Sequence, residues 1–147
     1  MASSLEQVQQ IYQDRGRRAR ELKAQGQGVI GYLCSFTPVE LVTAAGLLPF
    51  RFTGGGEPIT EADIHLESIA CPYTRSILDL ALKKNYEFAD GFVMPHSCDN
   101  VVNLYDVWAQ CIDHDYAHFV NVPHTASAAS LKFFAAELAV FKKSLEK

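Results

Sequence analysis

Three cysteines stand where the chain leaves one element and enters a helix: Cys34 in GYLCSFTPVE, Cys71 in SIACPYTRS and Cys98 in MPHSCDN. A fourth, Cys111, falls at the far end of a predicted helix instead. Three thiolates meeting on one edge of a sheet can hold a metal cluster and leave one metal corner open to a substrate. That open corner separates a catalytic metal centre from a closed structural one. Cys71 precedes Pro72 and Cys98 precedes Asp99, so both sit at helix starts, where the positive end of the helix favours thiolate over thiol. Free backbone N–H groups there can donate to cluster sulfurs and shift a reduction potential. The gaps between the three are wide, 37 and 27 residues. No CxxC pair, ferredoxin run or Cys/His zinc pattern is present. Two other readings therefore stand beside the cluster: a flavodoxin-like binding module with buried structural thiols, and a zinc-stabilised interaction domain.

The elements that position these residues follow from periodicity and punctuation. Residues 4 to 25 read as one helix, with Leu5, Val8, Tyr12 and Leu22 roughly in phase. Val29 to Leu33 is a short apolar strand. Thr37, Pro38 and Glu40 then suggest a capping box with proline in the first turn, opening a helix that runs to Ala45 and ends at Gly46. Leu47 to Phe52 is a second strand, TGGGEP (53 to 58) a loop, and 61 to 66 a short helix. Pro72 opens a helix to about Lys84, Gly91 to Pro95 is a third strand, and 99 to about 110 is helical with Val101, Leu104, Tyr105 and Trp108 in phase. Ala117 to Val122 is a fourth strand, and Leu131, Phe134, Leu138, Phe141 and Leu145 mark a final helix.

This alternation predicts an α/β fold of three layers, with a four-stranded, mostly parallel sheet of flavodoxin or Rossmann type and an extra N-terminal helix. Ligands of such sheets bind beyond the carboxyl ends of the strands. Cys34 and Cys98 follow strands and Cys71 opens a helix from the same edge, whereas Cys111 belongs to the opposite edge.

The chain has 147 residues, 48% hydrophobic and 20% charged, which suits one soluble domain with a real core. A net charge of −4 argues against nucleic-acid binding. The basic run RGRRARELK reads as a solvated helix face or a partner contact. No apolar run reaches membrane-spanning length, and MASSLEQVQQ carries no signal core or acyl-anchor pattern. A cytoplasmic location is expected, where cysteines stay reduced rather than forming a disulfide framework. The last helix is still in phase at Leu145 and no Gly, Asn or Pro stops it. It either frays there or continues in a longer protein.

Three segments carry a family likeness: GYLCSFTPVELVTAAGLLPFRFTG, CPYTRSILDLAL and FADGFVMPHSCDNVVNLYDVW, together covering residues 31 to 108. In this order and spacing the chain resembles the 2-hydroxyacyl-CoA dehydratase subunits, a family that includes the ATP-dependent benzoyl-CoA reductase subunits. The resemblance implies a 4Fe–4S cluster on Cys34, Cys71 and Cys98, with no cluster role for Cys111. It implies a homologous second subunit forming a heterodimer, and an ATP-dependent iron–sulfur activator protein that supplies a low-potential electron. The electron passes to an acyl-CoA thioester, whose ketyl radical then loses a hydroxyl or has its aromatic ring reduced. Members of the family are two-domain subunits more than twice this length. Residues 1–147 are thus expected to form a single cluster-binding domain of a longer subunit, inactive alone. Which of the two reactions applies is open, with a slight lean to benzoyl-CoA reduction on the PHT run at 123 to 125.

Several neighbours have candidate roles. Ser35 and His96 are the candidate catalytic residues: Ser35 as a donor beside Cys34, and His96 as a proton donor beside Ser97 and Cys98, or simply a strand-end histidine. Arg75, four residues after Cys71, can face the cluster or a CoA phosphate, or form a surface salt bridge. Asp99 reads as a cap for its helix. The glycine triplet 54 to 56 lacks a phosphate-binding fingerprint and reads as a flexible loop. His114 and His118 in DHDYAH would share a face only on a helix, and this stretch looks like a loop entering a strand.

Overall fold

The computed structural model describes residues 3–146. Four parallel strands form one sheet: β1 (Val29–Tyr32), β2 (Leu48–Arg51), β3 (Gly91–Pro95) and β4 (Tyr116–Val120), in the order β2-β1-β3-β4. Every pairing is parallel, so the sheet is wholly rather than mostly parallel, in the flavodoxin-like order. Pro49, Ile30, Gly91 and Tyr116 lie level across the sheet. The strands therefore end near one another on a single carboxyl edge.

The strand in the middle of this arrangement shows why the sequence takes it. All five residues of β3, GFVMP, are buried, as expected for a parallel strand covered on both faces. Side chains alternate across a strand. Phe92 and Met94 accordingly join a core with Phe52, Ile77, Leu78, Leu104 and Trp108, under helices α4 (Pro72–Leu82) and α5 (Asp99–Cys111). Val93 joins Ile30, Val42, Val120 and Phe141, under α3 (Val39–Ala44) and α6 (Ala128–Leu145) on the opposite face. Gly31 is required here: a Cβ on it would lie 1.9 Å from the Phe52 ring. Phe52 uses that space to stack on Trp108, with ring centroids 4.9 Å apart.

The N-terminal stretch departs from the expected single helix. It forms α1 (Ser4–Gln13) and α2 (Arg17–Ala24), broken at Asp14–Gly16. A Cβ at Gly16 would lie 2.6 Å from Arg20 and 3.1 Å from the Phe88 ring, so glycine lets the elbow pack closely. Asp14 pairs with Arg20 across it at 2.5 Å. A capping box of Ser3 and Glu6 starts α1, which buries none of its residues. Helix α2 is anchored by Lys23, which pairs with Asp90. The Asp90 carboxylate also accepts the Val29 N–H at 2.8 Å.

Two further expectations fail locally. Thr37 does not cap α3, and no capping box forms with Glu40; Pro38 is the N-cap and no side chain bonds there. The Thr37 hydroxyl, 4% exposed, donates instead to the Leu33 carbonyl at 2.5 Å, pairing an acceptor at the end of β1. The predicted helix at 61 to 66 is a single 3-10 turn, Ala62–Ile64. It hangs from Asp79 of α4, whose carboxylate accepts the N–H groups of Thr60, Glu61 and Ala62 at 2.8, 2.7 and 3.2 Å. Lys83 pairs with the same carboxylate at 2.5 Å. No helix among the described residues is long and apolar enough to cross a membrane.

Candidate functional site

Cys34 lies two residues past β1, and Cys98 three past β3. Cys71 is the N-cap of α4, and Cys98 the N-cap of α5, so Asp99 is the first helical residue rather than a cap. All three are free thiols at least partly open to solvent. Neither cap cysteine makes a side-chain capping bond.

Cys34 turns through a φ of 63°, a left-handed conformation that costs a non-glycine residue about 1 to 3 kcal/mol. Burial pushes its thiol up, but other groups outweigh this and hold it below the ordinary thiol value: the Phe36 N–H, the Ser97 hydroxyl, and the N–H and hydroxyl of Ser35. Ser97 is the neighbour of Cys98, so its influence on the Cys34 thiol brings the first and third cysteine loops near one another.

A hydrogen bond joins the third loop to the Cys71 loop. Asn100 Oδ1 accepts the Cys71 N–H at 2.8 Å. The Cys71 carbonyl accepts the Thr74 hydroxyl at 2.9 Å and the Arg75 N–H at 3.1 Å. Both backbone polar groups of Cys71 are thus engaged while its thiol is not. Asn100 is the residue that sequence reasoning missed; its only signal was its place two residues after a cysteine in SCDN.

The other candidates are placed as follows. Ser35 adjoins Cys34 and helps to hold its thiol below the ordinary value. The His96 ring sits 5.5 Å from that of His124 and 5.9 Å from that of Phe119, on the edge that carries the cysteines. Arg75 forms the expected salt bridge: its Nε donates to Asp63 at 3.0 Å and its Nη1 to the Ser68 carbonyl at 3.3 Å. Gly55 of the triplet donates to the Ser76 hydroxyl at 3.0 Å. His118 lies on β4, beside Ser144 at 3.1 Å, and shares no helix face with His114. Cys111 ends α5, with its sulfur 3.5 Å from His65 Nδ1.

Among the described residues no three His, Cys, Asp or Glu side chains are grouped closely enough to hold a single metal ion. A lone zinc ion thus finds no ready set of three donors. An iron–sulfur cluster is broader than one ion, and the donor types at this edge suit it: three free thiols with hydroxyl and N–H donors beside them. A cavity of about 460 Å³ lies elsewhere, bounded by Trp108, Cys111 and His114, and none of the three cysteines lines it.

Residues 34–147 match the family model described as 2-hydroxyglutaryl-CoA dehydratase, D-component. The chain belongs to this dehydratase D-component family. The match begins at Cys34 and so includes all three cysteine loops. Among relatives, the chain is 31% identical to a benzoyl-CoA reductase subunit of Thauera aromatica, over 80% of this chain and 31% of that protein. It is 28% identical to the (R)-2-hydroxyglutaryl-CoA dehydratase subunit beta of Acidaminococcus fermentans, over 69% of this chain and 27% of that one. With the lactoyl-CoA dehydratase subunit beta of Anaerotignum propionicum it shares 24% identity, over 97% and 38%. The chain thus spans about a third of the length of these D-component relatives.

Proposed function

We propose that this chain is the cluster-carrying domain of a subunit that dehydrates or reduces a CoA thioester, with Cys34, Cys71 and Cys98 as the ligands of a 4Fe–4S cluster. The observation that carries this reading is the placement of three free thiols, Cys34 and Cys98 just past β1 and β3 and Cys71 at the start of α4, with Asn100 accepting the Cys71 N–H at 2.8 Å. They lie on the edge where open parallel sheets bind ligands. When bound, such a cluster supplies single electrons at low potential. The chain's own residues shape its surroundings. The Phe36 and Ser35 N–H groups and the Ser35 and Ser97 hydroxyls stabilise negative charge on the Cys34 sulfur, and donors of this kind raise a cluster's potential. The starts of α4 and α5 add positive potential at Cys71 and Cys98.

The longer proteins to which the chain is similar act on benzoyl-CoA or on 2-hydroxyacyl-CoA thioesters, as their names state. The 31% identity to the reductase protein, against 24% and 28% for dehydratase subunits, favours benzoyl-CoA reduction. A related second subunit and an ATP-dependent iron–sulfur activator complete the system, in the cytoplasm, where thiols stay reduced. Anaerobic purification followed by iron and sulfide analysis and electron paramagnetic resonance of the reduced protein tests the reading. About four irons per chain, lost when any of the three cysteines becomes serine, is the expected result. A wild-type chain that takes up no iron under these conditions overturns it.

A further inference from the structure

We propose that Asn100 is a positioning residue that fixes Cys71 for cluster binding. The inference rests on the ligand assignment proposed above. Asn100 lies two residues after Cys98, and its Oδ1 accepts the Cys71 N–H at 2.8 Å.

The need for Asn100 follows from the backbone of Cys71. Pro72 is the first residue of α4; it has no N–H and a fixed φ, so it restrains the chain on one side of the cysteine only. Thr74, buried at 3% exposure, holds the carbonyl on that same side. On the other side stands the loop from Leu66 to Ala70, with Ile69 88% exposed. Arg75 holds that loop at the Ser68 carbonyl, and Asn100 adds a restraint on the Cys71 N–H itself. It gives the Cys71 N–H a partner from the first turn of α5, the helix that Cys98 caps. This bond ties the Cys71 loop to the helix start that carries Cys98, in addition to the packing of α4 on α5. The thiol itself is left free, as a ligand requires. Outer partners that orient metal ligands typically change metal affinity about 10- to 100-fold when removed.

The test uses the 147-residue chain, reconstituted anaerobically with iron and sulfide, with release of iron to a chelator as the readout. Asn100→Ala and Asn100→Ser, which withdraw the acceptor, are expected to release iron about 10- to 100-fold faster than wild type and to change the resonance spectrum of the reduced cluster. Asn100→Asp, which keeps an oxygen in place, is expected to restore slow release. Circular dichroism identifies any variant that fails to fold, and whichever of Ala and Ser folds is compared with Asp. Folded variants that release iron at the wild-type rate with an unchanged spectrum overturn the inference while leaving the three-cysteine assignment standing. If wild type itself binds no iron, the assignment falls and the role of Asn100 falls with it.

Discussion

Asp79 is the most heavily used carboxylate of the fold, and its replacement by asparagine has a calculable effect. Burial pushes its carboxyl up, but Lys83 and the N–H groups of Thr60, Ala62 and Glu61 overcome this and bring it from 3.8 to about 2. At about 1.36 kcal/mol per unit, the native state gains about 2.5 kcal/mol from its ionisation. Because the folded value is depressed, this stability is complete above about pH 4 to 5 and is lost as pH falls through about 2. Asparagine keeps an acceptor oxygen for some of the N–H groups but loses the charge and the pair with Lys83. Asp79→Asn should therefore cost about 2 kcal/mol at pH 7, or roughly 4 to 8 °C in melting temperature for a chain of this size. Urea unfolding of both proteins at pH 7, 5 and 2.5 checks it. The gap should hold from pH 7 to 5 and narrow sharply by pH 2.5. Equal stability at pH 7, or a gap that does not change with pH, would refute the reasoning.

The cysteines and the glycine at the heart of the sheet give further expectations. Cys111→Ser should leave iron uptake unchanged in reconstituted protein, whereas serine at 34, 71 or 98 should lower it; equal loss at all four positions would remove the three-plus-one distinction. Gly31→Ala places a methyl 1.9 Å from the Phe52 ring and should cost about 1 to 3 kcal/mol by overpacking. Chemical denaturation showing wild-type stability would mean that the ring has room to move.

The sheet was readable because its strands are short apolar runs, and β3 carries no polar residue to blur the signal. The split between three cysteines and Cys111 was readable for a related reason: strand and helix order alone decides which edge a loop occupies. What could not be read depends on partners distant in sequence. Gly16 looks like a residue inside a helix until Phe88, which packs on it, is in place. Thr37 matches a capping pattern, but the Leu33 carbonyl competes for its hydroxyl. Asp79 sits mid-helix as if on a solvated face, and only the returning 60 to 62 loop gives it a purpose. Asn100 was hidden in the same way, since its partner lies 29 residues earlier.

The backbone at Cys34 sets two demands against each other. A φ of 63° suits glycine or asparagine far better than cysteine, whereas Cys71 at −51° and Cys98 at −167° occupy conformations open to any residue. Library selection would separate the two demands. A screen scored on folding alone should enrich glycine and asparagine at position 34 for its φ, and the helix-capping residues serine, threonine, aspartate and asparagine at 71 and 98. A screen scored on iron retention should keep cysteine at all three. Position 34 is thus where the backbone itself, rather than a missing cap, stands against the residue the chain carries.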